Sequence, residues 1–298
     1  DWADPWYLNE ATASNQTATF GITTGALENS HSSVLTFDGT TASPYISIPR
    51  IAAHDAAATI YTIEAYIYVN GAVSNRQTIF STRQGDVAGS WAFEIGKGSG
   101  TSTDTGRLVL AGLGTTVIRE STNGAILENT WQHVLAKVSG TAAGNTQLFV
   151  DGVEVTYNGA GTIYTSAFNT NAKLIGTLNT TPSNIFNGNI KRVKWYSVAL
   201  TNANILKTAE YYNNDVYSIA SLIGAWMIKE GTGTAVTDGA AVTSTGTISS
   251  TPLWTTTSYL MTESWDYGVV TTGTWSTNIN VTDHTGTSVK DVLTSVDG

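Results

Sequence analysis

Short segments of alternating apolar and polar residues, separated by turn residues, are the clearest pattern in this chain. Four apolar residues occupy every second position of the segment 60–69: Ile63, Ala65, Ile67 and Val69. This period of two predicts a β-strand with that face against a core. The opposite face carries polar and aromatic side chains: Thr62, Glu64, Tyr66 and Tyr68.

Similar segments along the chain predict further strands. They lie at 91–95, 108–110, 134–138, 147–150 and 193–195. Asp151-Gly152 separates 147–150 from 153–155, which is a strong signal for a two-residue hairpin. Helical spacing is limited to a short pattern from Thr201 to Tyr212, where Thr201 is suited to cap the N-terminus. We expect these strands to bury six side chains in the core: Trp91, Phe93, Trp131, Phe149, Val193 and Trp195.

A short sequence pattern near the start of the chain recurs in its last third. Residues 6–12 and 226–232 share the pattern W-x-(L/I)-x-E-(A/G)-T. Too few residues follow Trp254 for a second full-sized sandwich. We therefore predict a large β-sandwich over 1–214 and a smaller C-terminal β module over 215–298. Because such a module is too short to bury its tryptophans alone, we expect it to dock on the sandwich or on a neighbouring copy.

Composition narrows the classes of protein. Charged residues make up only 12% of the 298, and the net charge is −9. Without runs of Lys or Arg the chain lacks the basic surface that nucleic-acid binding requires. Cysteine is absent, which excludes disulfides and thiolate metal sites. No apolar stretch reaches the length of a membrane span.

An ordered set of motifs resembles the laminin-G-like, or concanavalin A-like lectin/glucanase, superfamily. The matching segments are LTFDG at 35–39, YTIEAYIY at 61–68, WQHV at 131–134, LFVDGV at 148–153 and FNGNI at 186–190. Residues 222–254 resemble the opening strand of the same family. The resemblance implies an all-β, jelly-roll-like sandwich of two antiparallel sheets. It leaves the function open, because lectins, hydrolases, adhesion modules and viral structural proteins share this fold.

The sequence argues against catalysis. Glycoside hydrolysis needs two carboxylates beside the scissile bond, and related glucanases carry them on one strand as E-x-D-x-x-E. This chain has no such run, and Glu64 and Glu94 each stand alone on their strands. We therefore predict no enzyme activity and no catalytic residue.

Two candidate binding features remain. The resemblance implies calcium at Asp38, although the family's usual partner acid is replaced by Lys191; a turn-forming aspartate is the alternative. The polar faces of two strands suit a glycan or peptide groove, unless other elements cover them. The candidate ligand-binding residues are Glu64, Tyr66, Tyr68, Arg192, Lys194 and Tyr196.

Three functional hypotheses follow. The first is a non-catalytic structural or adhesive protein at the surface of a virus, phage or cell, with copies of itself or other surface proteins as partners. The alternative is a carbohydrate-binding lectin module, and the third is a glycoside hydrolase. All three place the chain outside the cell or on a virion, without a nucleic-acid partner and with no cofactor beyond calcium.

Overall fold

The chain is described by a computed structural model over residues 33–56, 59–71, 75–83, 89–97, 105–112, 116–161, 171–210, 221–240 and 244–256. Of the two copies of the pattern W-x-(L/I)-x-E-(A/G)-T, the one at 6–12 lies outside these residues. In the described ranges the secondary structure is almost entirely β-strand, as the alternating pattern predicts. The strands are β1 (Ser33–Asp38), β2 (Ile46–Ile48), β3 (Ile60–Val69), β4 (Gln77–Ser81), β5 (Ala92–Gly96), β6 (Arg107–Ala111), β7 (Val117–Glu120), β8 (Trp131–Ser139), β9 (Thr146–Val150), β10 (Val153–Glu154), β11 (Lys173–Ile175), β12 (Asn187–Tyr196), β13 (Leu222–Trp226), β14 (Ala235–Val236), β15 (Gly246–Ile248) and β16 (Trp254–Thr256).

These strands form two antiparallel sheets of eight strands each. Sheet I has the order β10-β9-β8-β3-β12-β1-β16, and β13 also pairs with β12. Sheet II has the order β14-β15-β2-β11-β4-β5-β6-β7. The predicted all-β sandwich of two antiparallel sheets is confirmed.

The core lies between the inner faces of the two sheets. The predicted inner face of β3 is confirmed, because Ile63, Ala65, Ile67 and Val69 are fully buried. Large aromatic side chains fill the centre, where the Trp195 ring lies 5.6 Å from Phe80 and 5.9 Å from Trp91. Such rings bury large apolar areas and pack edge-on or offset.

The prediction was wrong for one of the six expected core residues. Trp91, Phe93, Val193 and Trp195 belong to the main core cluster, and Phe149 lies in a smaller cluster on the outer side of sheet I. Trp131, however, is half-exposed. The inward residues of β8 are Val134, Ala136 and Val138, so the period of two directs Trp131 to the outer face.

The helix predicted from Thr201 is present as α1 (Asn202–Glu210). The Asn204 amide donates to the Thr201 hydroxyl at 3.3 Å, so Thr201 caps the helix as expected. The helix packs through Ile205 against Leu135, Phe149 and Tyr196 on the outer face of sheet I. Part of that face is therefore covered.

Strands that follow residue 215 are hydrogen-bonded into both sheets. β13 pairs with β12, β16 pairs with β1, and β15 pairs with β2. Trp226 is fully buried, its ring lies 6.1 Å from Phe80, and its Nε1 donates to the Ser244 carbonyl oxygen at 3.0 Å. Residues 31–258 form one compact unit. The domain limits 1–214 and 215–298 stay a prediction. The contacts above show that the described strands after residue 215 are bound to the sandwich by backbone hydrogen bonds and by Trp226.

The described ranges include no helix with the length and apolarity that a membrane crossing requires.

We expect Trp226→Ala to lower the free energy of unfolding by about 3–5 kcal/mol, because a fully buried tryptophan is replaced by a cavity. Guanidinium denaturation at pH 7 measures the change. The matched control is Leu253→Ala in the same segment, whose side chain is 42% exposed, and which should stay within about 0.5 kcal/mol of the wild type. Equal stability of all three proteins would show that β13 does not contribute to the sandwich.

Candidate functional site

The outer face of sheet I carries the predicted ligand-binding residues, and the structure divides them into two groups. Glu64, Arg192, Lys194 and Tyr196 are no more than 3% exposed and form a buried polar layer on the side of α1. Tyr66 and Tyr68 lie beyond this layer, where they meet Trp131. The six residues therefore do not form one open groove, because α1 packs on the outer face beside the first group. Their role as ligand contacts stays a prediction.

Glu64 is the centre of the buried polar layer. One carboxylate oxygen lies 3.1 Å from His133 Nε2. The other oxygen lies 3.5 Å from Arg192 Nη2 and accepts a hydrogen bond from the Tyr196 hydroxyl at 3.4 Å. Arg192 Nη2 also donates to the carbonyl oxygen of Thr208 in α1 at 3.2 Å. The carboxylate thus connects strands β3, β8 and β12, and Arg192 extends the connection to the helix.

The charge state of Glu64 follows from these contacts. Burial by itself raises the pKa of a carboxyl group. Here the Arg192 charge, the His133 hydrogen bond and the charges of His133 and Lys194 outweigh burial and lower the pKa of Glu64 from 4.5 to about 2. Because an ionised carboxylate only accepts hydrogen bonds, His133 must carry its hydrogen on Nε2.

Three aromatic rings form a platform next to this layer. Tyr66 stacks on Trp131 with ring centroids 4.9 Å apart and an interplanar angle of 14°. The Tyr68 ring lies 5.6 Å from Trp131 at 52°. The Lys191 ammonium lies 5.8 Å from the centroid of the Tyr66 ring. Trp131 and Tyr68 are half-buried and Tyr66 is buried, so the platform presents part of the Trp131 and Tyr68 rings to solvent.

Polar side chains continue the platform across the sheet. Trp131 is opposite Tyr68, Tyr68 is opposite Asn189, and Asn189 is opposite Thr36. Residues opposite each other on antiparallel strands share a face. Asn189 Nδ2 donates to the Thr36 hydroxyl at 2.9 Å, and that hydroxyl lies 3.0 Å from the hydroxyl of Thr255. We call Trp131, Tyr68, Asn189, Thr36 and Thr255 the aromatic row.

The row spans β8, β3, β12, β1 and β16. Four strand spacings give it a length of roughly 19 Å. Aromatic rings lie at one end and amide and hydroxyl groups at the other, where Asn189 is buried, Thr36 is half-buried and Thr255 is exposed. Rings of this kind stack on the C–H faces of sugars, while amides and hydroxyls exchange hydrogen bonds with sugar hydroxyls. The sequence prediction included Tyr68 but missed Trp131. Val134, Ala136 and Val138 of the same strand face the core, so residues at odd-numbered positions, including Trp131, face outward.

Asp38 lies at an exposed turn. Its Oδ1 accepts hydrogen bonds from the Thr40 amide at 2.9 Å and the Thr40 hydroxyl at 2.8 Å. The backbone hydrogen bond from Thr40 is the main reason that the pKa of Asp38 is lowered. Within the described ranges no group of three or more His, Cys, Asp or Glu residues is arranged to hold a metal. Calcium at Asp38 stays a prediction, which calorimetric titration of calcium into wild-type and Asp38→Asn protein tests.

The two isolated glutamates lie on opposite sides of the sandwich. Glu64 faces outward from sheet I, whereas Glu94 lies between the core residues Phe93 and Ile95 and faces outward from sheet II. Sheets pack about 10 Å apart, so carboxylates on the two outer faces are farther apart than the roughly 5–9.5 Å of a glycosidase pair. Glu94 is instead bound by Thr78 at 3.0 Å and Asn184 at 2.9 Å.

One cluster contains the three residue types of a hydrolase triad. Ser244 Oγ lies 3.5 Å from His54 Nε2 and donates to Asp238 at 3.3 Å. In a triad the carboxylate orients the histidine, but here it binds the serine. All three side chains are buried, and Asp238 also accepts backbone amides from Ala225 and Ala240. The cluster links Asp238 and Ser244, on the chain after β14, to the buried His54.

Comparison with known families now identifies the fold. Residues 38–206, more than half of the chain, match the family model described as the concanavalin A-like lectin/glucanases superfamily. The chain belongs to this superfamily. No curated protein matches the sequence.

Solved structures of low sequence identity are similar to this chain. A Bacteroides ovatus protein provisionally assigned to carbohydrate binding is similar with a TM-score of 0.54 and 19% identity, over 76% of this chain and 60% of that protein. A heptameric pentraxin from Limulus polyphemus gives 0.44 and 17%, over 60% and 82% of the two chains. The CBM40 domain of a Ruminococcus gnavus sialidase, bound to α2,3-sialyllactose, gives 0.45 and 14%, over 59% and 96%.

We expect the stability of the protein to fall in acid through Glu64. Its folded pKa of about 2 lies below its ordinary value of 4.5, so the ionised group stabilises the fold above pH 4.5. This contribution, about 3 kcal/mol, is lost as the pH falls from 4.5 towards 2. In Glu64→Gln the free energy of unfolding should therefore change less between pH 5 and pH 2 than in the wild type.

Denaturation by urea across this pH range measures the effect. The control is Glu128→Gln, which changes an exposed glutamate and should follow the wild-type curve. A Glu64→Gln curve parallel to that of the wild type would contradict the assignment of the pH dependence to Glu64.

Proposed function

We propose that the chain is a non-catalytic carbohydrate-binding module and that the aromatic row is its glycan-contact surface. The observation that carries the proposal is the platform in which the half-buried Trp131 stacks on the buried Tyr66 and contacts the half-buried Tyr68. Trp and Tyr are residues that dominate binding energies when a ligand covers them. They lie on a superfamily sandwich whose relatives include a protein provisionally assigned to carbohydrate binding.

The polar end of the row supports the same ligand class. Thr255 is exposed and Thr36 is half-buried, and the buried Asn189 amide donates to the Thr36 hydroxyl, which lies 3.0 Å from that of Thr255. Amide and hydroxyl groups both donate and accept, which suits the hydroxyl groups of a sugar. A flat sheet face with rings at one end and neutral polar groups at the other favours an extended glycan over a buried small molecule.

The absence of catalysis is part of the proposal. Its support is the separation of Glu64 and Glu94 on opposite outer faces, which leaves these two acids unable to act as a pair. A location outside the cell fits a glycan ligand and is proposed with it. The structural or adhesive role at a virus, phage or cell surface, with copies of the chain as partners, stays a prediction without further support.

The proposal is tested on the full-length chain with an array of immobilised glycans, followed by calorimetric titration with the glycan that binds best. Trp131→Ala should weaken binding about 30-fold or more, because loss of a central aromatic contact costs about 2 kcal/mol or more. Thr36→Val, which removes one hydroxyl of the row, should weaken it less.

The matched control is Tyr45→Ala. Tyr45 is also half-exposed, but it precedes β2 of sheet II, so its truncation should leave the affinity unchanged. Circular dichroism checks that each variant is folded. If a glycan binds and Trp131→Ala binds it as tightly as the wild type, the aromatic row is not the glycan site. If no glycan on the array binds, the proposed function is wrong.

A further inference from the structure

Tyr66 lies between two buried side chains on the neighbouring strands. In the register of sheet I it lies opposite His133 of β8 on one side and opposite Arg192 of β12 on the other. Both neighbours are no more than 1% exposed. The Tyr66 ring in turn supports Trp131 by stacking at 4.9 Å. The two side chains that flank Tyr66 are therefore placed where they could set the orientation of the Tyr66–Trp131 stack.

A single carboxylate holds both flanking side chains. Glu64 precedes Tyr66 by two residues on the same face of β3, and its two oxygens bind His133 Nε2 at 3.1 Å and Arg192 Nη2 at 3.5 Å. The planar guanidinium has a second contact, the carbonyl oxygen of Thr208 in α1. These charge-assisted contacts fix direction as well as distance.

A β-bulge adds a third group at this point. The pairing of β12 with β3 shifts between Ile190 and Arg192, so Lys191 is an extra residue there. Ile190 and Val193 face the core, and the Lys191 ammonium lies 5.8 Å from the Tyr66 ring on the outer side. Bulges redirect side chains in this way and increase the local twist.

We infer that Glu64 is the positioning residue of the aromatic row: through His133 and Arg192 it fixes the Tyr66–Trp131 stack in the orientation that contacts a glycan. The inference rests on the proposed function. Because Glu64 itself is fully buried, the inference gives it a role through its neighbours and not a glycan contact of its own. A binding surface whose rings are supported by a fixed second layer loses less conformational entropy on binding than one with mobile rings.

The experiment compares variants of the full-length chain at pH 7 with the glycan selected on the array. Glu64→Gln keeps the shape of the side chain and removes its charge. We expect its affinity to fall about tenfold, the lower end of the effect that residues orienting the ligands of metal sites have. The matched control is Glu94→Gln, which removes the charge of an equally buried glutamate on the outer face of sheet II, and should bind like the wild type.

A spectroscopic measurement separates positioning from stability. The difference in near-ultraviolet circular dichroism between a protein and its Trp131→Phe derivative reports the Tyr66–Trp131 stack. In the Glu64→Gln background this difference spectrum should shrink, whereas a residue that only stabilises the fold would leave it unchanged in folded protein. If Glu64→Gln does not fold, His133→Leu replaces it, since it removes one of the two flanking contacts, and the same decreases are expected.

The outcomes distinguish the two proposals. If Trp131→Ala does not weaken binding, the proposed glycan site is wrong. If Trp131→Ala weakens binding but folded Glu64→Gln, or His133→Leu in its place, keeps the wild-type affinity and difference spectrum, the glycan site stands and the positioning role of Glu64 is overturned. Loss of affinity together with a smaller difference spectrum supports the role.

Discussion

The contact between Trp195 and Phe80 is the interaction on which the arrangement of the sandwich depends. It joins β12 of sheet I to β4 of sheet II across the centre of the core, with ring centroids 5.6 Å apart. Trp226 of β13 lies against the same Phe80 ring at 6.1 Å. One phenylalanine therefore connects the central strand of sheet I, the strand added after residue 215 and the opposite sheet. Since interiors are close-packed, these three rings fix how the sheets lie on each other.

Strand β12 transmits this constraint from the core to the outer face. Its inward side chains Val193 and Trp195 pack in the core, so Arg192 and Lys194 must point outward. The strand pairs with β3 along one edge, and with β1 and then β13 along the other. The register that includes Trp195 also places Arg192 opposite Tyr66, and the bulge between Ile190 and Arg192 begins a second register that places Asn189 opposite Tyr68. Core packing and the geometry of the aromatic row therefore both follow from how β12 pairs with β3, with the bulge between them.

The period of two made most of the fold predictable. It placed Ile63 and its partners inward, and the family motifs indicated two antiparallel sheets, because local alternation follows directly from strand geometry. The helix from Thr201 was predicted from its cap and spacing. The covering of Glu64 by other elements was not predictable, since it depends on where α1 packs after β12 ends. A sequence pattern identifies an outward face but does not indicate whether that face meets water or a helix.

The candidate site was predicted only in part for the same reason. Tyr66 and Tyr68 were identified as outward residues, but Trp131 was assigned to the core because of its size. The position of Trp131 relative to Val134 predicts its side correctly, because the alternation along a strand determines which face of the sheet a side chain lies on and its hydrophobicity does not. Asn189, Thr36 and Thr255 come from three distant segments, and only the pairing of β12, β1 and β16 brings them together. Long-range register of this kind has no local signal in the sequence.

The buried polar residues beside the aromatic row raise the question of why the outer face of sheet I carries ionisable side chains under α1. A buried ion pair stabilises a fold little more than well-packed apolar residues of the same volume, because desolvation offsets the attraction. An apolar replacement for Glu64, Arg192 and His133 would therefore cover the sheet under α1 about as well. It would not impose directions on its neighbours, since apolar contacts are non-directional. His133 and Arg192, which both contact the Glu64 carboxylate, lie opposite Tyr66 on its two sides, and Tyr66 supports Trp131. Stability alone gives no reason for a polar layer at this position, whereas the fixed orientation of an exposed ring does.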